Sequence, residues 1–435
     1  MDYATTVKKQ LFEIIDEMNL SRWLFTRNPD TDFTREKKWS FSKIIKFMIS
    51  MEGKSLKDEL YEYFDYAYET PSNSSFNQRR AQILPETFEF LFREFTAAFE
   101  RKDLTYKGYK LIACDGSDLS ISLNPNDKAT YFQSQPTKKG FNQLHLNAFY
   151  DLLGRTYIDV LIQNGREENE KRAMCDMIDR YNASEKVIFI ADRGYENYNI
   201  FAHAQERGAY YLIRVKDIDS TGILGAMKLP KTNSFDTRVS ITLTTSQTKE
   251  IKANKEKYRF VPSTSTFDYL SKENKFYDIT FRIVRFPISE ESYECIITNL
   301  PETDFNSTEI KNIYQMRWGI ETSFRELKYA IGIAQFHAKK VDYIKQEIWT
   351  KLLLYNFCEI ITTHVVVKQK ESRKHIYQVN YTRAIRICCY FLRTKKTRSD
   401  IEKLIGHELL PVRPGRTDPR KVKTRSAISF LYRVA

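Results

Sequence analysis

The sequence predicts a mixed α/β fold, and three observations predict it. The first hundred residues carry helical patterning, short β-rich segments begin near residue 108, and helices then alternate with apolar strands. Residues 1–105 read as a helical N-terminal domain. The run FSKIIKFMISM (41–51) is amphipathic, and 85–100 opens with Pro85, a residue suited to a helix start. Between them, 71–84 places a Ser/Asn cap before a short helix carrying Arg79 and Arg80. Two readings stand for this stretch: a helix-turn-helix module whose arginines face phosphate or base edges, or an ordinary helical domain with a solvated basic turn.

From residue 110 the segments 110–121, 143–151 and 155–163 are short and β-rich, with Leu153-Gly154 turning between the last two. A helical segment (168–181), the apolar strand VIFIA (187–191), a helix closing on Gly208 (197–208) and a strand (209–215) follow. The order β-β-β-α-β-α-β describes a mixed sheet with helices on its faces, as in RNase-H-like folds. Residues 106–216 are therefore expected to form the first part of such a core. Residues 217–300 depart from it: 240–244 and 278–286 alternate apolar with polar residues, and 263–265 and 271–275 read as turns, so a β-rich insertion is expected. A long helix starting near Ser307-Thr308 and running to about Ile331 completes the core within 301–340. Residues 341–435 read as two or three helices and a basic, Pro-containing tail (411–425), which has too few large apolar residues to fold alone.

The 69 Lys+Arg against 56 Asp+Glu give a formal charge of +13, which draws the chain to polyanions, nucleic acid first. The cysteines at 114, 175, 295, 358, 388 and 389 form no C-x-x-C pair and read as reduced core thiols. No secretory signal is visible at the N-terminus. The most apolar stretch, 352–367, is interrupted by Asn356, Glu359 and His364, which disqualifies it as a membrane span. A cytoplasmic protein is expected. No His-x-x-x-His spacing and no Walker-type loop are present, which argues against a zinc hydrolase and an ATP-driven enzyme.

Phosphoryl transfer between DNA strands needs two divalent cations held about 4 Å apart by carboxylates. Asp115 ends the apolar run 111–114, and Asp192 ends the run 187–191; the carboxyl edge of an open sheet is where ligands bind. Asp118 is a rival to Asp115, but the two are separated by an odd number of residues and point to opposite faces of a continuing strand. Arg193 can meet phosphate, while Gly194 allows a tight turn with close backbone approach. On the long helix Tyr314, Arg317, Glu321 and Lys328 fall within an arc of about 60° at roughly 100° per residue. Ile313, Ile320, Phe324 and Leu327 form the neighbouring apolar stripe that anchors the helix. Glu326, about 140° from Glu321 at that same spacing, is expected on the solvated side. Trp318 reads as a core residue in preference to a platform for an unpaired base.

On these residues the chain resembles the bacterial insertion-sequence transposases of the fourth family. The family's Tyr, Arg, Glu, Lys signature is met without gaps by Tyr314, Arg317, Glu321 and Lys328; its second-aspartate motif by Asp192, Gly194 and Tyr195; and its first aspartate by Asp115. The segment Arg413 to Lys423 also looks like this family's tails. The resemblance implies a DDE enzyme with Asp115, Asp192 and Glu321 as catalytic metal ligands for two Mg²⁺ (or Mn²⁺) ions. It implies strand cleavage followed by 3′-hydroxyl strand transfer. DNA contacts are expected from Tyr314, Arg317, Lys328, Arg193, Tyr195, Trp318, Arg413, Arg416, Arg420 and Lys421, and the 1–105 domain is expected to recognise DNA ends. The implied partners are double-stranded element ends and target DNA, held by a nucleoid-associated homodimer. A nuclease without strand transfer and a domesticated DNA-binding protein remain the alternative readings.

Overall fold

The computed structural model describes residues 2–35, 38–182, 185–290, 292–365, 367, 369, 375–394 and 400–412. Five helices open the chain: α1 (Tyr3–Leu20), α2 (Phe41–Ser50), α3 (Leu56–Tyr63), α4 (Asn73–Arg80) and α5 (Glu86–Ala98). Hydroxyl caps fix several starts, Ser40 accepting from Lys43 N and Ser72 from Ser75 N. Arg80 does not face DNA. It is buried, its guanidinium donating to Glu347 at 2.9 Å, to Gln346 at 3.1 Å and to the Tyr343 carbonyl at 2.8 Å.

The sheet strands are β1 (Tyr109–Ile121), β2 (Tyr131–Phe132), β3 (Phe141–Asp151), β4 (Thr156–Asn164), β5 (Lys186–Ala191) and β6 (Tyr210–Val215). They are joined by α6 (Glu170–Arg180) before β5 and α7 (Tyr198–Glu206) before β6. Spatially the order is β4-β3-β1-β5-β6, with β1 antiparallel to β3 and parallel to β5, and β5 parallel to β6. This is the RNase-H-like arrangement the element order predicts. At the β3–β4 turn the left-handed residue is Arg155 (φ 57°) and not Gly154, whose amide instead donates to Asp151 Oδ1 at 2.9 Å. Gly208 (φ 63°) follows α7 as expected.

The segment after β6 carries β7 (Phe235–Thr244), α8 (Lys249–Ala253), β8 (Tyr258–Phe260), β9 (Phe276–Pro287) and β10 (Tyr293–Thr298). These strands continue the same sheet, because β10 pairs with β6, β9 with β10 and β7 with β9. The expected long helix is α9 (Ser307–Met316) and α10 (Trp318–Glu326), joined through Arg317, whose backbone stays helical, and followed by a π-helical turn (Leu327–Ile331) ending at Gly332 with φ 88°. A capping box between Asn306 and Glu309 starts it. α11 (Val341–Thr363), α12 (Tyr381–Arg393) and α13 (Ile401–His407) complete the helical half, and β11 (Tyr377–Val379) pairs with β12 (Leu409–Pro411).

Buried apolar residues of α1–α5, α10–α13 and one face of β1, β3 and β4 form a single core. α11 is buried almost all round, and its Asn356 covers the edge of β4 by accepting from Tyr157 N (2.9 Å) and donating to Tyr157 O (2.7 Å). On the opposite face α6 and α7 pack with residues of β1, β3, β5, β6, β7, β9 and β10. Among the described residues no helix is long and apolar enough to cross a membrane.

Candidate active site

Asp115 lies inside β1 and not at its end, since β1 runs on to Ile121 against β3. It is nevertheless the position where the parallel partner stops. Cys114 pairs with Ala191, so Asp115 and Asp192 are the next residues along two adjacent parallel strands. Beyond Ala191 the chain turns: Asp192 Oδ1 accepts from Gly194 N at 2.7 Å and caps the short turn 193–195.

The opposite-face argument holds in the register. Asp115 stands across from Ala148, on the face that packs against α10, whereas Asp118 stands across from His145. Ile320 and Phe324 seat α10 in that core, and Ser323 Oγ meets the Tyr157 hydroxyl at 2.8 Å. Gly319 lets the helix approach the sheet, because a Cβ there would already lie 3.0 Å from Leu152 Cδ2. Seated this way, α10 turns Glu321 towards Asp115, and Arg317 Nη2 donates to Glu321 Oε1 at 2.8 Å.

The electrostatics bind these groups into one site. Burial pushes the Asp115 carboxyl up to about 7; the Gly116 amide, donating at 2.9 Å, and Arg317 oppose that, while Asp192 and Glu321 add to it. Two carboxylates and one guanidinium thus act on Asp115. Lys328, on the π-helical turn, has its ammonium pulled down by burial against the attraction of Asp118 and Asp115.

Several expected contacts are corrected. Tyr195 is 1% exposed and packs in the core with Cys114 and Ala191, so it offers no surface to DNA. Tyr314 is likewise buried, and Arg317 is buried against Glu321. Trp318 is 53% exposed and not core; the Arg317 guanidinium lies 5.3 Å from its ring centre. Arg193 is exposed. Glu326 does point away from Glu321, but it is half-buried and not on an open solvated face: Tyr355 donates to it at 3.3 Å, and burial raises its carboxyl. Arg413, Arg416, Arg420 and Lys421 lie outside the described residues.

The sequence reasoning missed the groups around Gly116. A Cβ at that position would run into Glu170 Oε1 and His145 Nε2, so glycine leaves room for both side chains against the strand. Glu170 also reaches towards Gly194, beside Asp192. Burial works against the charged His145 ring, but Asp118, Glu170 and Glu168 outweigh it and raise the imidazole to about 9. The available signal was the alternation in QLHLNAFYD, which puts His145 and Asn147 on one face as polar residues of a buried strand.

A carboxylate cluster at the meeting of parallel strands in an RNase-H-like sheet, completed by an acid from a facing helix, defines a class of metal-assisted phosphoryl-transfer proteins. A family model described as the transposase DDE domain matches residues 106–357. The chain belongs to that transposase family, and the family implies use of a divalent cation. The transposase InsG for insertion sequence element IS4 of Escherichia coli (strain K12) is 27% identical over 134 residues, 28% of this chain and 29% of that protein's length. The chain therefore spans less than a third of that relative, which agrees in family with the resemblance drawn from the signature residues. Among solved structures, a cryo-EM structure of the piggyBac transposase synaptic complex with hairpin DNA aligns over 95% of this chain and 87% of that chain, with TM-score 0.46 and 10% identity.

Proposed function

We propose that this protein is a DNA transposase that cleaves the backbone at the ends of a mobile element and joins the freed 3′-hydroxyl to target DNA. The observation that carries this reading is the convergence of Asp115 and Asp192, side by side on β1 and after β5, with Glu321 facing them from α10. The donor set fits the implied metal. All three groups are carboxylates, hard oxygen donors suited to Mg²⁺ or Mn²⁺, and a half-buried Asp115 crowded by like charge is relieved by a cation. When bound, two such ions would activate the attacking oxygen and stabilise the leaving one.

The remaining groups position the acids and the substrate. Arg317 fixes Glu321 through its 2.8 Å bond and lowers the charge density around Asp115. Lys328 supplies a cation next to Asp115 and Asp118. Arg193 meets phosphate from the turn after Asp192, and exposed Trp318 offers a stacking face to an unpaired base. The tail residues Arg413, Arg416, Arg420 and Lys421 extend the phosphate contacts, and two copies of the chain hold two element ends.

The test incubates a labelled element-end duplex with a target plasmid in Mg²⁺ and, separately, in a chelator. Cation-dependent nicking and covalent joining are expected. Nicking without joining would reduce the reading to a nuclease, and binding without nicking would reduce it to a DNA-binding protein.

A further inference from the structure

The face of β1 opposite Asp115 carries a second set of donor groups that the reaction does not use. Asp118 and His145 are paired residues of β1 and β3. The imidazole is only 4% exposed; its Nδ1 lies 2.8 Å from Asp118 Oδ1 and 3.6 Å from Glu168 Oε1, in the turn before α6. Ligand atoms of Asp118, His145 and Glu168 all fall within 4.8 Å of one another. The other ring nitrogen, Nε2, is buried without an aligned hydrogen bond, and sits 3.2 Å from Glu170 Oε1. Three carboxylates thus surround one imidazole, so the cluster stays anionic even when the ring is protonated. Lys328, whose helical turn packs on the Asp115 face, reaches this cluster only as a long-range charge acting on Asp118.

We infer that Asp118, His145 and Glu168 form a second divalent-cation site, distinct from the Asp115, Asp192 and Glu321 set, with Glu170 orienting the imidazole. One imidazole nitrogen and two carboxylate oxygens favour Mn²⁺, Co²⁺ or Zn²⁺ over Mg²⁺, whose preferred ligands are all oxygens. The ion bonds to Nδ1 in place of the proton that now bridges to Asp118, and that proton leaves to solvent. Nε2 keeps its hydrogen and directs it to Glu170, the arrangement by which a neighbouring carboxylate fixes a ligating histidine. The ion then ties together β1, β3 and the entry to α6. Glu170 lies against Gly116 and near Gly194, the residues next to Asp115 and just beyond Asp192, so the tie braces the strands that carry the catalytic acids. The inference stands whether or not the chain proves to transpose DNA.

The full chain loaded with Mn²⁺ alone tests this, because His145 would supply a nitrogen ligand where the catalytic set supplies only oxygen. Pulsed electron paramagnetic resonance should show ¹⁴N coupling to Mn²⁺ in the wild type and in Asp115→Asn/Glu321→Gln. The coupling should vanish in His145→Gln, and Asp118→Asn should weaken Mn²⁺ binding at the same site. Absence of ¹⁴N coupling in the Mn²⁺-saturated wild type would overturn the site without requiring any variant to fold. Coupling that survives His145→Gln, or that disappears in Asp115→Asn/Glu321→Gln, would overturn it as well.

Discussion

Two of the places where this molecule draws charge away from water treat it in opposite ways. Between the N-terminal helices and α11, Arg80 and Glu347 are both buried, and each is answered: Arg80 by Glu347, Gln346 and the Tyr343 carbonyl, Glu347 also by the His337 amide at 2.8 Å. The Glu347 carboxyl is held at about 2, Arg80 and His337 overcoming the cost of its burial. In the sheet, half-buried Asp115 has carboxylates on two sides and moves the other way, up to about 7. A charge whose partners are all supplied by the protein serves the fold; a carboxylate left among like charges is what the proposed cation site requires.

The largest effect that could break this comparison lies at Asp115. Asp115→Asn keeps an acceptor for the Gly116 amide but removes the charge, so cation-dependent cleavage of a labelled element end should fall by several orders of magnitude. The thermal midpoint should hold or rise, since a crowded half-buried charge has gone. Glu326→Gln, on the same helix as Glu321 but turned towards Tyr355, should cleave at a near-normal rate. Retained cleavage in Asp115→Asn, or a collapse of its stability, would make Asp115 a structural acid like Glu347.

Glu347→Gln should do the reverse. It leaves Arg80 buried without its counter-charge, which costs about 3–5 kcal/mol of stability, while cleavage below the unfolding temperature persists. The pH dependence has a definite sign. The carboxyl is lowered from an ordinary 4.5 to about 2, so the stability it confers is complete above pH 4.5 and is lost as pH falls towards 2. Denaturant unfolding of both proteins should give a gap that is full at neutral pH and closes across that window. A gap independent of pH would assign the effect to packing alone.

What the sequence disclosed follows the same division. The strand and helix order was legible because alternation and apolar runs are local properties, and Asp115 and Asp192 were legible because each directly follows a buried run. The side of β1 on which Asp118 lies followed from strand alternation alone. Whatever depended on a distant packing partner was not legible. Arg80 had two surface readings, a DNA contact or a solvated basic turn, and neither foresaw its burial because Glu347 is 267 residues away in the chain. Glu326 looked solvated because Tyr355 arrives from α11. Tyr195 and Tyr314 carry hydroxyls that suggested recognition, yet their rings fill the cores on the two faces of the sheet. The His145 cluster needed the β1–β3 register, which no local pattern specifies.

The smallest effect concerns Trp318, where sequence and structure differ most plainly. An indole that is 53% exposed contributes little to the core, so Trp318→Ala should change stability by no more than about 0.5 kcal/mol. Its ring lies one residue past Arg317, whose guanidinium is bonded to Glu321, so its free face sits at the rim of the carboxylate site. A base unstacked from a duplex end at that rim has an aromatic surface to meet, and losing such a surface costs about 1–3 kcal/mol per base. Binding of Trp318→Ala to a duplex with an unpaired terminal base should therefore weaken by that amount, whereas binding to a fully paired duplex of the same length should hardly change. Equal weakening on both duplexes would make Trp318 a general contact, and no weakening on either would leave it a surface residue with no part in recognising DNA.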